Sequence, residues 1–285
     1  MSAEQPQPAD EASRGATARG GRPSVAVLGV GTMGEAVLAG VLRSGWSADD
    51  VVAVVRREER AAELAERHGV RSVPLAEGAA RDVLVLAVKP QQLDDVLAQA
   101  APHVHAGALV VSVAAGVTTA RLAAALPEGV AVVRAMPNTP ALVGAGTTAV
   151  SAGPGAGEEQ LALASELLSG AGDVVPVPEA QQDAATAVSG SGPAYVLHVL
   201  EALVEAGVHA GLPRATAARL ATGTLAGTAA LLRETGEHPS LLRERVTSPG
   251  GTTAAGLRQL DERGVRAAVL AAVEAARDRA RELGA

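Results

Sequence analysis

The sequence contains no cysteine and almost no aromatic residues, with one Trp, one Tyr and no Phe among 285 positions. A chain without cysteine has no disulfides, no thiolate metal sites and no cysteine nucleophile. Hydrophobic residues nevertheless make up 48% of the composition. The core must therefore be built from alanine, valine, leucine and glycine, whose small side chains allow helices to approach one another closely.

Long apolar segments and an excess of basic charge are also lacking. No uninterrupted apolar run is long enough to span a bilayer, and no apolar signal core precedes Ser24. The formal net charge of −7 disfavours a nucleic-acid partner. Residues 1–23 are rich in Ala, Gly, Pro and charge, which predicts a disordered leader outside the fold. Together these features predict a cytoplasmic protein that binds neither nucleic acid nor membranes.

Short apolar runs alternate with amphipathic stretches over residues 24–180. The runs lack a period of two, which predicts strands buried on both faces, at 25–30, 51–55, 82–88, 109–113 and 130–134, with weaker ones at 147–150 and 173–177. Helical periodicity predicts helices at 35–43, 58–68, 93–100, 118–126 and 158–169. This alternation predicts an α/β domain whose mostly parallel sheet is covered by helices on both faces.

The strand pattern stops after residue 180. The helices predicted beyond it lie at 194–206, 213–234, 253–263 and 265–283. The chain is therefore expected to divide into an α/β domain, residues 24–180, and an all-α domain, residues 181–285. The helices of the second domain are rich in alanine and short of bulky residues. Because marginal helices depend on tertiary packing, we expect them to bury their small faces against another subunit.

A glycine-rich segment follows the first predicted strand and opens the first helix; it reads Gly29-Val30-Gly31-Thr32-Met33-Gly34. In this context Gly29 allows a tight turn, Gly31 lets the backbone approach a pyrophosphate, and Gly34 permits close helix–strand packing. The helix that follows offers free N–H groups to phosphate. Thr32 lies in the same segment, and Met33 is expected to pack against the cofactor or the neighbouring strand. A glycine turn without a ligand is the alternative, but the strand–turn–helix position favours a dinucleotide site.

Arg56 and Arg57 follow the second predicted strand. A site for NADH usually carries Asp or Glu at this position, to hold the ribose 2′-hydroxyl. Arginines can instead neutralise the 2′-phosphate of NADPH and stack on adenine. The alternative is a solvated basic start to the next helix. The pair predicts NADPH as the preferred cofactor and NADH as the second choice.

Two further strand ends complete the predicted cofactor site, because ligands of open α/β sheets lie beyond the carboxyl ends of the strands. The residues in question are Ala87, Val88, Lys89 and Pro90, then Val113, Ala114 and Ala115. Their mostly small side chains let the nicotinamide half pass close to the backbone. Lys89 invites a catalytic interpretation, but a lysine before proline at a strand end is more simply a structural or rim charge.

Three later segments lie beyond the fourth strand; they read Arg134-Ala135-Met136-Pro137-Asn138-Thr139-Pro140, Ser189-Gly190-Ser191-Gly192-Pro193-Ala194-Tyr195 and Val246-Thr247-Ser248-Pro249-Gly250-Gly251-Thr252-Thr253. With the glycine motif and Ala87–Pro90, they resemble the signature set of pyrroline-5-carboxylate reductases, in the family's order, over about residues 24–283. The resemblance implies a Rossmann domain, a helical dimerisation domain, and NAD(P)H-dependent reduction of 1-pyrroline-5-carboxylate to L-proline. It also implies a homodimer, with a larger assembly of dimers left open.

The residues themselves agree with reduction of a cyclic imine that carries one carboxylate. A protonated imine needs only a well-placed hydride, and the motifs contain neither a histidine nor a metal-ligand cluster. Ser248, Gly250, Gly251 and Thr252 provide hydroxyls and N–H groups ahead of a helix, which suits a carboxylate. An ordinary helix cap is the alternative. The resemblance implies that Thr253 binds the substrate and is the catalytic residue, its hydroxyl meeting the ring nitrogen.

Asn138 is predicted to lie near the nicotinamide or the substrate, since its amide both donates and accepts hydrogen bonds. A turn residue before Thr-Pro is the alternative. The chain departs from the family at Pro74-Leu75-Ala76-Glu77. Many relatives carry Asn there in contact with the adenosine ribose, so that contact is not expected here.

Two other classes of function fit the glycine motif. Dehydrogenases of the 3-hydroxyisobutyrate and 6-phosphogluconate type resemble this chain but use a catalytic lysine on a helix of the second domain. Residues after 181 contain no lysine, which weighs against that class. A non-catalytic dinucleotide-binding protein would be expected to have a damaged substrate segment, whereas residues 248–253 are intact.

Overall fold

The computed structural model describes residues 22–284, so most of the predicted leader lies outside the described residues. One sheet contains eight strands: β1 (Val25–Leu28), β2 (Val51–Val54), β3 (Arg71–Ser72), β4 (Val83–Leu86), β5 (Leu109–Ser112), β6 (Ala131–Met136), β7 (Gly146–Ala152) and β8 (Gly172–Pro176). Their order is β3-β2-β1-β4-β5-β6-β7-β8. All neighbours pair in parallel except β6 and β7. The predicted mostly parallel sheet is confirmed.

The central strands are buried on both faces, which explains why their sequences show no polar alternation. In β1, Val25 and Val27 belong to one apolar cluster, and Ala26 and Leu28 belong to the cluster on the opposite face. All four side chains are at most 1% exposed. Small aliphatic residues thus fill both layers of a core that has a single Trp and no Phe.

The helices around the sheet are α1 (Thr32–Arg43), α2 (Glu58–His68), α3 (Leu75–Ala79), α4 (Pro90–Ala100), α5 (Thr119–Ala124) and α6 (Glu158–Ser169). Both α2 and α6 have the bounds expected from the sequence. Strand β3 and helix α3 were not expected, because two and five residues are too few to show a periodic pattern. In α4, Pro90 occupies the first turn, where a missing N–H costs nothing, so the helix begins three residues earlier than expected.

The remaining helices are α7 (Gln182–Ala185), α8 (Gly192–His209), α9 (Arg214–Thr235), α10 (Pro239–Arg245), α11 (Thr252–Glu262) and α12 (Val265–Gly284). No strand is found among the described residues after Pro176, as expected for an all-α half. One turn of π-helix, Thr186–Gly190, joins α7 to α8, closed by a hydrogen bond from Ser191 N to Thr186 O of 2.9 Å.

The helical half is joined to the sheet through a buried arginine. Arg134 of β6 is 5% exposed, and its guanidinium lies 3.7 Å from a carboxylate oxygen of Glu179 and of Asp183. Glu179 also accepts a hydrogen bond of 2.7 Å from the backbone N–H of Thr119. A buried charge needs such partners, and these polar contacts join β6 to Glu179 and to the first residues of the helical half.

Many large apolar side chains of the helical half face outward. Leu197, Leu220 and Leu270 are 57%, 56% and 66% exposed. By length and composition alone, one segment of the described chain, Glu179–His209, is apolar enough to cross a membrane. Polar residues interrupt this segment, so it is not the uninterrupted apolar run whose absence the sequence predicted. Helices that bury apolar faces against a second copy of the chain can be equally apolar, so this composition does not by itself indicate a membrane span.

Glu35 in α1 accepts hydrogen bonds from two arginines of α2. Its carboxylate binds Arg60, Arg67 at 2.9 Å and the ring of His68 at 3.0 Å. Glu35 and Arg60 are 19% and 13% exposed. The hydrogen bond from Arg60 is the main cause that lowers the pKa of Glu35 from 4.5 to about 2, outweighing its partial burial. This cluster joins the first two helices.

Glu35→Gln is expected to lower the free energy of unfolding at pH 7 by up to about 3 kcal/mol, the equivalent of the pKa shift. The folded pKa lies below the unfolded one, so the contribution is complete above pH 4.5 and disappears as pH falls towards 2. Urea unfolding of both proteins across that range measures it. Glu166→Gln, which removes an exposed partner of Arg22, is the control and should cost little. A wild-type-minus-variant difference that does not change with pH would contradict this account.

Candidate active site

A cleft of about 900 Å³ opens where the carboxyl ends of β1, β2 and β4 meet. The strand order reverses between β1 and β4, and this switch point is where open α/β sheets bind ligands. Of the residues predicted to bind cofactor, those that line the cleft are Gly29, Gly31, Arg56, Arg57, Ala87, Val88 and Lys89. The structure therefore brings together three segments that are 25 or more residues apart in the chain.

The three glycines of the turn after β1 differ in what a side chain at each position would contact. Gly29 has φ +84°, and a Cβ there would lie 2.5 Å from Cγ1 of Val88. A Cβ on Gly34 would lie 2.5 Å from the carbonyl oxygen of Gly29. A Cβ on Gly31 would meet nothing within 4 Å. Protein packing therefore requires Gly29 and Gly34, whereas Gly31 leaves open space for a ligand.

Helix α1 begins without a side-chain cap, because its N-cap residue is Gly31. The first-turn N–H groups of a helix have no partner within the helix. Here they lie beside the open space at Gly31. This arrangement suits an anionic group such as a pyrophosphate.

Arg56 and Arg57 are exposed at the end of β2 and line the cleft. Neither forms an ion pair with another residue of the part that the structure describes. Their charges are thus available to a phosphate, since no carboxylate of residues 22–284 neutralises them.

Arg60 lines the same cleft and was missed in the sequence analysis. Its Nε donates a hydrogen bond of 3.1 Å to the carbonyl oxygen of Val30, inside the glycine turn. The residue lies one helical turn after Arg56 and Arg57, so helical spacing places it near them, but the spacing alone does not show that it contacts the glycine turn.

The opposite wall of the cleft is one face of α4. Gln92, Asp95, Val96 and Gln99 line it, at the i, i+3, i+4, i+7 spacing of a single helical face. Lys89 is the N-cap residue of this helix and reaches the same wall. The sequence contained this spacing, but the face is too polar to stand out as a buried one. Val73, Pro74 and Leu75 add apolar surface nearby.

The other predicted cofactor residues do not line the cleft; they are Thr32, Met33, Gly34, Pro90, Val113, Ala114 and Ala115. Met33 packs on a small apolar cluster of Ala36, Ala141 and Ala171. Val113 and Ala114 are buried at the end of β5, and Ala115 is exposed there. This strand end lies beyond β4 along the same sheet edge, so it can meet only a part of a ligand that extends past the cleft.

Asn138 has protein partners for both ends of its amide. Its Nδ2 donates to the carbonyl oxygen and the hydroxyl of Ser189, at 3.1 and 3.2 Å, and its Oδ1 accepts from the N–H of Thr147 at 2.8 Å. Asn138 is 9% exposed. These bonds join the loop after β6 to β7 and to the π-helical turn, and its contact with substrate stays a prediction.

The substrate segment forms a tight turn before α11. Gly250 has φ +69°, and the N–H of Gly251 donates to the carbonyl oxygen of Ser248 at 3.0 Å. Pro249 followed by a glycine with positive φ is typical of a type II turn. Gly251 is the N-cap residue and has no side chain to cap the helix. Thr253 lies inside the first turn, so its hydroxyl does not act as the N-cap.

The substrate segment and the cofactor cleft do not meet within one chain. None of the residues from Ser248 to Thr253 lines the cleft. Ser248, Gly250 and Thr252 are exposed, and Thr253 is half-buried. Helix α11 packs chiefly on α12.

Two family models match different halves of the chain. A model described as pyrroline-5-carboxylate reductase dimerisation matches residues 179–283. A model described as NADP oxidoreductase, coenzyme F420-dependent, matches residues 24–116. The first match covers the helices with exposed apolar faces, and the second covers β1 to β5 and the cleft.

Known proteins resemble the chain over nearly its whole length. Pyrroline-5-carboxylate reductase of Corynebacterium melassecola is 44% identical over 266 residues, which cover 92% of this chain and 98% of the relative. The structure of a pyrroline-5-carboxylate reductase from Coxiella burnetii superposes with a TM-score of 0.89 at 35% identity, over 92% of this chain and 99% of that one. The Plasmodium falciparum structure, which has NADP bound, gives a TM-score of 0.80 at 27% identity, over 92% and 98%. The chain belongs to the pyrroline-5-carboxylate reductase family.

Proposed function

We propose that the protein reduces 1-pyrroline-5-carboxylate to L-proline, the last step of proline biosynthesis, with NADPH as the preferred hydride donor and NADH as the second choice. One observation carries the proposal: the chain has two helices whose N-termini lack a side-chain cap. Helix α1 follows the open dinucleotide turn, and the first turn of α11 carries the hydroxyl of Thr253. The lysine that a hydroxy-acid dehydrogenase requires in its helical domain is missing from residues 181–285.

The residues of the cleft fit a phosphorylated dinucleotide. When bound, the cofactor supplies the hydride. The space at Gly31 and the uncapped N-terminus of α1 accommodate the pyrophosphate. Arg56 and Arg57 meet the 2′-phosphate, which NADH lacks. Val113, Ala114 and Ala115 then border the nicotinamide half, beyond the end of β5.

The residues before α11 hold the substrate. The N–H groups at the start of the helix and the hydroxyl of Ser248 bind the carboxylate. The hydroxyl of Thr253 lies beside the ring nitrogen. It accepts a hydrogen bond from the protonated imine before reduction and can donate one to the amine nitrogen afterwards. The imine carbon gains the hydride, the nitrogen loses its positive charge, and the amine of proline then takes a proton from solvent. Catalysis is therefore mainly proximity and orientation.

The active site is completed between two subunits. The substrate segment lies outside the cleft of its own chain, and the apolar faces of the helical half are exposed. A homodimer that covers these faces brings residues 248–253 of one subunit to the cleft of its partner. In this arrangement residues 24–180 are the dinucleotide-binding domain, and residues 181–285 are the dimerisation and substrate domain.

The same dimer accounts for the apolar segment Glu179–His209 without a membrane. Its exposed leucines and valines lie in the part matched by the dimerisation model. A net charge of −7 does not suit a nucleic-acid partner. We place the protein in the cytoplasm, with dimers as the basic unit of any larger assembly.

Purified protein is expected to oxidise NADPH only when 1-pyrroline-5-carboxylate is present, and to form L-proline in equal amount. Absorbance at the nicotinamide band and chromatographic measurement of proline check the two sides of the reaction. A 2-hydroxy acid with NADP⁺ is the control for the dehydrogenase alternative. A folded dimer that makes no proline, or that oxidises the hydroxy acid instead, would refute the proposed function.

Thr253→Ala is expected to lower both kcat and kcat/KM by roughly five- to hundred-fold, the loss of one hydrogen bond of about 1–3 kcal/mol. Thr253→Ser should restore most activity, because it returns the hydroxyl. Thr252→Ala is the matched control on the same turn and should affect kcat less. Melting temperatures of all three variants are measured on the same samples. If Thr253→Ala melts early but turns over normally when folded, its role is structural.

Mixed dimers test the shared site. Gly31→Asp introduces a carboxylate into the pyrophosphate position without a packing clash, since a Cβ there meets nothing within 4 Å. Each dimer of Gly31→Asp with Thr253→Ala has one intact site if the site is shared between subunits. Co-refolded mixtures should then recover about a quarter of wild-type activity by random pairing. Activity no higher than the average of the two parents would show that each site belongs to one chain.

A further inference from the structure

The guanidinium of Arg60 holds the dinucleotide turn at two places. Its Nε donates to the carbonyl oxygen of Val30 at 3.1 Å, and Nη2 donates to the carboxylate of Glu35. Its third contact runs from Nη1 to Glu63 on the same helix, at 2.8 Å. A planar guanidinium satisfies three such acceptors at once, which a single ammonium cannot do.

Both anchored groups belong to the start of α1. Val30 lies between the two glycines of the turn, and its peptide bond leads directly into Gly31, the N-cap. The N–H of Glu35 donates to the carbonyl oxygen of Gly31 at 2.8 Å, so Glu35 belongs to the first turn of the helix. Fixing the Val30 carbonyl and the Glu35 carboxylate fixes the plane of the peptide that faces the open space at Gly31.

The charge of Arg60 is already compensated by protein groups. Two carboxylates bind it, and its side chain is only 13% exposed although it reaches the cleft. Arg56 and Arg57 lie on the same side of the cleft, are exposed, and have no ion pair among the described residues. The two sets of arginines are therefore suited to different tasks.

We propose that Arg60 is a positioning residue that sets the affinity for NADPH and NADH alike by holding the glycine turn, whereas Arg56 and Arg57 distinguish the two cofactors. The proposal rests on the cofactor half of the proposed function. It assigns to Arg60 an effect on the pyrophosphate position, which both cofactors share, without a contact to either.

Arg67 provides a matched control. It donates to the same carboxylate of Glu35, at 2.9 Å, and Arg67→Gln removes the same charge. It neither contacts Val30 nor lines the cleft, and it is 56% exposed. A consequence of the Val30 contact can therefore be separated from a consequence of losing a positive partner of Glu35.

The experiment is calorimetric titration of the full-length protein with NADPH and with NADH, together with kcat at saturating cofactor and melting temperature. Arg60→Gln should raise Kd for both cofactors by about the same factor, roughly tenfold. Arg60→Lys should raise both Kd values nearly as much, because an ammonium cannot satisfy all three acceptors. In both variants, kcat at saturating cofactor should stay within about twofold of wild type. Arg67→Gln should change neither Kd by more than about twofold. Arg56→Ala with Arg57→Ala should raise Kd for NADPH far more than for NADH.

Two results overturn the proposal. A loss specific to NADPH that Arg60→Lys restores would show a direct contact with the 2′-phosphate. Unchanged Kd values with a lowered melting temperature would show a purely structural ion pair. If Arg60→Gln does not fold, Arg60→Lys carries the same test. Failure of the proposed function gives a different result, in which the wild-type protein binds neither cofactor.

Discussion

The parallel pairing of β1 with both β2 and β4 is the constraint on which the cleft depends. Pairing in register places the carboxyl ends of these three strands side by side. After β1 the chain leads to β2 at one neighbouring position, and after β4 it leads to β5 in the opposite direction, so a gap remains between the two connections. Gly29 and Gly34 fit this gap because no side chain could replace their hydrogens. The strand order therefore creates the space at Gly31, and the glycines allow the backbone to pass beside it.

Charged residues stabilise the places where this chain of small apolar side chains has few large contacts. Glu35 and Arg60 join α1 to α2, and the lowered pKa of Glu35 records the strength of that contact. Arg134 does the same between the sheet and the helical half, with Glu179 and Asp183. Both clusters lie beside segments that carry the proposed chemistry, the glycine turn and the loop after β6.

A single subunit leaves apolar helix faces exposed and keeps the predicted substrate segment apart from the cofactor cleft. The helices after Pro176 expose leucines and valines that a soluble domain usually covers, and the substrate segment before α11 does not line the cleft of its own chain. These two features have one explanation in the proposed dimer, because the surface that buries the apolar faces also supplies the second half of the site. The family match over residues 179–283 supports the same arrangement.

The amino-acid pattern was sufficient for the strand–helix alternation, the glycine turn and the change to an all-α half, because each depends on local periodicity or on local backbone freedom. It also placed Arg56 and Arg57 at the end of β2, where they line the cleft, while their contact with the cofactor stays a prediction. It did not reveal Arg60 or the face of α4, because their importance arises only when β1, β2 and β4 pair and bring distant segments to one cleft. Asn138 shows the same limit: its type suggested a ligand contact, and only the packing of β7 and the π-helical turn around it revealed three hydrogen bonds to Ser189 and Thr147. Periodicity is a property of neighbours in the chain, whereas a binding surface is made by neighbours in space, and the tertiary structure alone decides which residues those are.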